Sequence, residues 1–315
     1  MSPNTESRAL NSNRDASFFV ENILGVHEHE SFAGLSQRKL ILKIASAEKQ
    51  IDDYVSKNTL LYADDRIPPY ETDAARVRLR REIYNELIQN QRLPCDDDIA
   101  KGVGGVLPLT PPCNNKEAFI LIGLPASGKS YVAQILADKY GAIILDSDYA
   151  KRKLPEYEIE FGASIVHEES SVITFGGRKE YAKEASVLQY AISNQYNIVI
   201  PKIGNDINHI QTFVSELTSA NLDYKVHLIL VRIDRHESVR RACNRFVQTG
   251  RYVSLSRIFD VYGNDPTITY YDLFFQSDIF ESFSMISAEV PIGSPFKIMY
   301  STKPELFSGM GFDIK

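Results

Sequence analysis

Apolar residues recur first at helical spacing along the chain, and later in short solid runs. In "LSQRKLILKIASAEKQIDDYVSK" Leu40, Ile44, Ile51 and Tyr54 fall near one another on a helix, and in "DAARVRLRREIYNELIQNQ" Val77, Ile83 and Leu87 do the same. Residues 21–92 therefore read as a small helical domain. "RLPCDDDIAKGVGGVLPLTPPCNNKE" concentrates Pro, Gly and Asp, which marks residues 93–117 as a flexible linker. Beyond it "AFILIGL", "GAIILD", "YNIVI" and "YKVHLILVRI" alternate with "SYVAQILADKY", "RKEYAKEASVLQYAISNQ" and "DINHIQTFVSELTSAN". Apolar runs of strand length separated by amphipathic helices predict a parallel sheet flanked by helices, an α/β architecture. From Tyr270 onward only "FKIMYS" reads as a strand.

Composition narrows this picture. The 315 residues are 43% hydrophobic, enough for a substantial core, and the net charge of −6 gives no general attraction to nucleic acid or an anionic membrane. Residues 1–20 are rich in Ser, Asn and charge, so they read as a disordered tail, and they lack the apolar stretch of a secretory signal. No apolar run approaches the ~20 residues of a membrane span. Three scattered cysteines, Cys95, Cys113 and Cys243, have neither metal-ligand nor redox spacing. A reducing cytoplasm is the simplest setting, and export as an effector leaves the same composition.

The first chemistry-bearing motif is "GLPASGKS", Gly123 to Ser130, which fits G-x-x-x-x-G-K-[ST] between a strand and an amphipathic helix. Its glycines let backbone N–H groups face a polyphosphate at a helix N-terminus, Lys129 reaches the β and γ phosphates, and the Ser130 hydroxyl ligates Mg²⁺. Gly123, Pro125, Ala126, Ser127, Gly128, Lys129, Ser130 and Tyr131 are thus the candidate ATP-binding residues. The expected fold is a P-loop NTPase or kinase domain over residues 118–315, preceded by the small helical domain.

"AIILDSD" ends a buried strand with Asp146 and Asp148 at the carboxyl edge of the sheet, where ligands of such folds bind. A carboxylate there can accept the proton of an attacking hydroxyl in phosphoryl transfer. Asp148 is the candidate base, and Asp146 a metal-orienting, loop-orienting or substrate-binding residue; the alternative is that both cap the following "YAKRK" segment. Further on, "VRIDRHESVRRACNRFVQTGRYVSLSR" holds seven arginines and no lysine. Arginine presents a planar, permanently charged fork to phosphate. An arginine lid here would stabilise transition-state charge and exclude water, while the other reading is a solvated basic face.

These segments together resemble the zeta toxin family of P-loop kinases: "GLPASGKS", the D-x-D-x-x-K-x-x-x-P pattern of "DSDYAKRKLP", and the "NRF" and "TGRYV" arginines. The resemblance implies that Asp148 is the base, Lys129 the loop lysine, and Arg245 and Arg251 the contacts to the γ-phosphate. Better-known members phosphorylate the 3′-hydroxyl of UDP-N-acetylglucosamine. They are blocked by a helical antitoxin, which is sometimes a fused N-terminal domain, so the N-terminal helices here are a candidate inhibitor in cis.

On the acceptor side, "GASIVHEESS" groups His167, Glu168, Glu169 and Ser170 as candidate substrate ligands, or as a helix start with favourable charges. Lys202, in "YNIVIPKIGND", is a candidate contact to an acceptor phosphate. Where the UDP-sugar kinases carry a Glu and, four residues later, an Arg, this chain has Pro201 and Asn205. "VHEESS" and "VIPKIG" look more like a divergent branch, in which a plant-pathogen effector phosphorylates NAD at a ribose hydroxyl. Two other readings fit the phosphate loop. A polynucleotide 5′-hydroxyl kinase would need a basic, aromatic track for the strand, and a nucleotide switch would need a metal-binding acid on a second core strand, for which Asp234 is the one candidate.

Overall fold

The computed structural model describes residues 7–54, 56–160, 162–177, 181, 183–291 and 294–314. In chain order it contains α1 (Asn13–Asn22), the short strands β1 (Ser31–Phe32) and β2 (Leu35–Ser36), α2 (Gln37–Tyr54) and α3 (Asp73–Gln89). Then come β3 (Glu117–Ile122), α4 (Lys129–Tyr140), β4 (Ile143–Ile144), α5 (Ser147–Lys151), α6 (Gly162–Ile165), α7 (His167–Phe175) and α8 (Val187–Ser193). The chain ends with β5 (Ile198–Lys202), α9 (Ile207–Leu217), β6 (Lys225–Arg232), α10 (Arg235–Thr249), α11 (Asp265–Gln276), β7 (Ser282–Ser287), β8 (Lys297–Ser301) and β9 (Asp313–Ile314).

Seven strands form one sheet in the order β4-β5-β3-β6-β7-β8-β9. The five strands from β4 to β7 run parallel, with Ile120 of β3 facing Ile200 of β5 and Leu228 of β6. β8 is antiparallel to β7, so the expected parallel sheet has a mixed edge. Solid apolar strands such as "FILI" are buried because helices cover both faces: Ile120 and Ile198 contribute to one core, Phe119 and Val199 to the other.

β7, "SFSMIS", did not stand out in the sequence because serine alternates with apolar residues. All six of its residues are buried. Ser282 Oγ lies 2.6 Å from His227 Nδ1, and Ser284 Oγ 2.8 Å from Ser301 Oγ, so the small hydroxyls are satisfied inside the sheet. The helix expected from Arg178 begins at Val187, capped by Ser186; residues 178–180 and 182 lie outside the described residues.

The N-terminal residues depart from the expected tail and separate helical domain. Of the expected tail, residues 1–6 lie outside the described residues, but α1 begins at Asn13 with the Ser12 hydroxyl accepting from the Asp15 amide, and it buries Ala16, Phe19 and Val20. The polar composition concealed a three-residue apolar stripe. α1 and α2 share a core with α10 and the segment after it, where Phe19, Leu40 and Ile44 join Val239, Phe246 and Ile258. α3 instead packs into the sheet core, with Leu79, Ile83 and Leu87 beside Ile143 and Tyr149. Residues 93–117 form a strap packed onto the fold, not a free spacer: Ile99 and Val106 are buried, and the Gly105 amide donates to Gln91 O at 2.9 Å.

Arg76 of α3 is fully buried between two carboxylates. It donates to both oxygens of Glu156 and both of Glu169 at 2.6–2.9 Å. Arg80 adds bonds to Glu169 at 3.1 Å and Glu184 at 2.7 Å, and Thr59 Oγ1 donates to Glu169 at 2.6 Å. This network ties the N-terminal helices to the elements following the aspartate turn.

Candidate active site

The phosphate loop folds as its sequence requires. Ala126 and Gly128 have positive φ, at +58° and +88°, which turns the backbone amides inward before α4 begins at Lys129. A side chain at Gly128 would also meet Phe296, whose Cζ would stand 2.7 Å from the added carbon. Ser127 is buried, Ser130 and Tyr131 are exposed on the first turn of α4, and the Tyr131 ring meets Phe296 edge-on at 5.5 Å. Ser238 Oγ donates to Pro125 O at 2.7 Å and docks α10 against the loop.

Lys129 folds back into this loop, its Nζ donating to Gly123 O and Leu124 O at 2.7 Å each. Among the described residues its hydrogen-bond partners are these neutral carbonyls and the Ser127 hydroxyl at 3.5 Å. Burial lowers its pKa to about 7, opposed by Asp146 and assisted by the Arg245 charge. An ammonium held in this way lacks an anion within bonding distance.

The aspartates are placed differently from the expectation that both extend from one strand. β4 ends at Ile144, and Asp146 caps α5, its Oδ1 accepting from the Asp148 amide at 2.9 Å. Burial and the neighbouring Asp148 charge raise the Asp146 pKa to about 6. Asp148, in the first turn of α5, has cations on both oxygens: Lys151 Nζ lies 2.9 Å from Oδ1, and Arg251 Nη2 donates to Oδ2. Burial pushes Asp148 up, but Lys151, Arg251 and Arg152 outweigh it and hold it well below the usual carboxylate range.

Of the arginines expected on the phosphate, Arg251 is thus shared between Asp148 and Asp97, its Nη1 lying 3.3 Å from Asp97 Oδ1. Arg245 has a buried Nε without a hydrogen-bond partner, and burial together with Arg251 lowers its pKa to about 10. Arg241, on the same helix, goes elsewhere, to Glu237 at 2.8 Å and Ala288 O at 2.9 Å. Asp234, the candidate acid for a nucleotide switch, caps α10 by accepting from the His236 amide at 2.8 Å.

The acceptor-side group separates into two faces of α7. His167 and Glu168 are exposed. The surrounding protein and Lys151 lower the His167 pKa, while Asp148 acts in the opposite sense, so this imidazole stands in the field of the aspartate turn. Glu169 is turned away into the buried Arg76 and Arg80 pairs, and Ser170 Oγ donates to His167 O at 2.7 Å. That commitment removes Glu169 and Ser170 from the expected acceptor contacts. Lys202 ends β5 with its Nζ 3.7 Å from the centre of the Phe175 ring; burial lowers its pKa and Asp146 opposes the shift.

Sequence reasoning missed three contributors. Lys151 and Arg152 sat in the quoted "YAKRK" segment without an assigned role. Asp97 lies in the expected linker, where three consecutive aspartates, Asp96 to Asp98, beside a phosphate-binding domain are the visible signal.

Among the described residues no helix is long and apolar enough to cross a membrane, and no group of three or more His, Cys, Asp or Glu side chains is arranged to hold a metal ion. A family model for the zeta toxin matches residues 104–268, just over half of the chain. The chain is similar to a solved structure from the PezAT chromosomal toxin–antitoxin system of the human pathogen Streptococcus pneumoniae, with 16% identity over 74% of this chain and 81% of that one, and a TM-score of 0.42. A gluconokinase from Sinorhizobium meliloti 1021 is similar at 13% identity, covering 57% of this chain and 86% of that one, with a TM-score of 0.32. A deoxyadenosine kinase from M. mycoides with bound dATP is similar at 17% identity, covering 55% and 92%, with a TM-score of 0.28. No curated protein matches the chain. The phosphate loop, the aspartate turn and the arginine segment all lie inside the matched span, and the chain belongs to the zeta toxin family of P-loop kinases.

Proposed function

We propose that the protein transfers the γ-phosphate of ATP to a hydroxyl of a nucleotide-type metabolite, UDP-N-acetylglucosamine or a related UDP-sugar. The observation that carries this reading is the pairing of two half-buried cations that lack an anionic hydrogen-bond partner among the described residues, Lys129 and Arg245, with an aspartate turn. A terminal phosphate between them would give both cations their anion. The acceptor hydroxyl would lie at Asp148.

In the step itself, Asp148 takes the proton as the acceptor oxygen bonds to the γ-phosphorus, and the bond from that phosphorus to the β–γ bridging oxygen breaks, leaving ADP. Lys129, Arg245 and Arg251 meet the charge on the transferring group. Arg251 has a second effect: as its guanidinium turns to the phosphate, Asp148 loses a cation and becomes a stronger base. The exposed Ser130 hydroxyl would help hold Mg²⁺ together with the nucleotide phosphates, and the ion would supply charge neutralisation on those phosphates.

A second reading, phosphorylation of an NAD ribose hydroxyl, is favoured by Pro201 and Asn205, which cannot supply the Glu and Arg contacts, and by Lys202 and His167 beside the aspartate turn. Incubating the full chain with Mg²⁺-ATP and a mixture of UDP-N-acetylglucosamine, NAD and related nucleotides, then recording every mass gain of one phosphoryl group, separates the two. A product on the UDP-sugar supports the first reading and a product on NAD the second. ATP binding with no product on any nucleotide refutes both.

A further inference from the structure

Asp97 enters the arginine side of the site from outside the residues matched to the family, which begin at 104. Its Oδ1 accepts from Arg152 Nη2 at 2.6 Å and from Arg251 Nη1 at 3.3 Å. Arg245 senses the same carboxylate. The turn carrying Asp97 is fixed by the residue before it: Asp96 Oδ1 accepts from Tyr149 Oη at 2.6 Å and from Gln134 Nε2 at 2.8 Å, which fastens it to α5 and α4. Asp97 itself stays 48% exposed, at the mouth of the site.

The loop bearing Arg251 is gripped from its other side as well. Tyr252 Oη donates to the buried Glu48 of α2 at 2.6 Å, and Lys43 of α2 lies 4.7 Å from the Phe246 ring centre. The N-terminal residues therefore hold this loop through α2 and through Asp97.

A carboxylate shared by two guanidinium groups presents the charge-assisted acceptor that a terminal phosphate oxygen would present. We propose that Asp97 is an internal stand-in for the terminal phosphate: it engages Arg152 and Arg251 in the nucleotide-free protein and yields them when ATP binds. The inference rests on the kinase reading above. A terminal phosphate brings more negative charge and more acceptor oxygens than one carboxylate, so the exchange runs toward ATP, but Asp97 lowers the apparent affinity by the cost of its own displacement. ADP ends at its β-phosphate and does not contest these arginines.

The test uses the full chain with Mg²⁺ and no acceptor, titrating ATP and ADP separately by calorimetry into the wild type, Asp97→Asn, Asp97→Ser and Asp97→Glu. Removing the charge in Asp97→Asn or Asp97→Ser is expected to tighten ATP binding by about three- to ten-fold, with ADP affinity held within about two-fold. Asp97→Glu keeps the wild-type ratio. ADP binding reports that each variant is folded, and a structural defect would weaken both nucleotides together. An unchanged ATP-to-ADP ratio in both neutral variants, or weaker ATP binding, overturns the role of Asp97 while leaving the kinase reading standing. A wild-type chain that binds neither nucleotide overturns both.

Discussion

Replacing Arg76 with methionine tests whether the N-terminal helices are part of the kinase fold. Arg76 is fully buried, and its guanidinium is the shared partner of Glu156 and Glu169, which are also fully buried. Methionine keeps much of the volume but leaves two carboxylates facing each other without that charge; Arg80 still reaches Glu169 at 3.1 Å. Breaking a buried pair from one side costs about 3–5 kcal/mol, a large part of the ~5–15 kcal/mol of a typical domain. For a chain of this size that is a fall in Tm of roughly 10 °C. The pH dependence identifies the cause. In the wild type, burial raises the Glu169 pKa but Arg76 outweighs it and the net shift is downward, so the stabilisation is present above the unfolded value and lost as pH falls through the folded one. In Arg76→Met the burial contribution dominates and the shift reverses. The native state then holds a proton that the unfolded state releases, so the deficit already present near about pH 5 grows further toward about pH 8. Urea unfolding followed by circular dichroism at both pH values measures it. A loss below about 1 kcal/mol, or a loss equal at the two pH values, refutes the reasoning.

The remaining predictions concern the nucleotide side. Asp148→Asn retains ATP binding while phosphoryl transfer falls by about 10²- to 10⁴-fold, measured by product mass against time; unchanged turnover removes Asp148 as the base. Lys129 has a pKa of about 7 before nucleotide binds, and phosphate contact raises it, so binding at pH 7 takes up about half a proton and affinity declines as pH rises above that value. Calorimetry in buffers of differing ionisation enthalpy reads this uptake. Gly128→Ala places a side chain at φ +88° and against Phe296, and weakens ATP binding by at least about ten-fold with the rest of the fold intact.

What could be read from the sequence was mainly what is local. "GLPASGKS" specifies its own turn, because positive φ, inward amides and the following helix are all properties of consecutive residues. Solid runs such as "AFILIGL" and "VHLILV" announced central strands because both faces are covered. The misreadings of α3 and of Glu169 share one cause, a partner distant in sequence. Apolar spacing on α3 brings Val77, Ile83 and Leu87 together, but the buried face is Arg76, Leu79, Arg80, Ile83 and Leu87, and an apolar-periodicity argument does not put two arginines on an interior stripe. The acids that make this possible, Glu156 and Glu169, lie 80 and 93 residues further on. α7 likewise turns Glu169 inward and leaves His167 and Glu168 outward, a division that the local run "VHEESS" does not reveal.

The same non-locality bears on how an inhibitory N-terminal segment can act. A detachable domain on a flexible linker would block the site as a unit and leave it when cut away, but α3 contributes to the sheet core and Arg76 balances carboxylates of the kinase fold. Removing residues 1–92 would expose that core and strand Glu156 and Glu169, so loss of folding, not release of activity, is the expected result. Inhibition from this side of the chain, the strap of residues 93–117 included, would therefore have to work through a contact that can be exchanged while the fold stays whole. Arg251 offers one. It is held between Asp97 and Asp148, and a single rotation of its guanidinium toward a terminal phosphate would vacate Asp97 and remove a cation from the base. Under the proposed mechanism, nucleotide binding and activation of Asp148 would become one event, and the base would gain strength only when there is a phosphate to transfer.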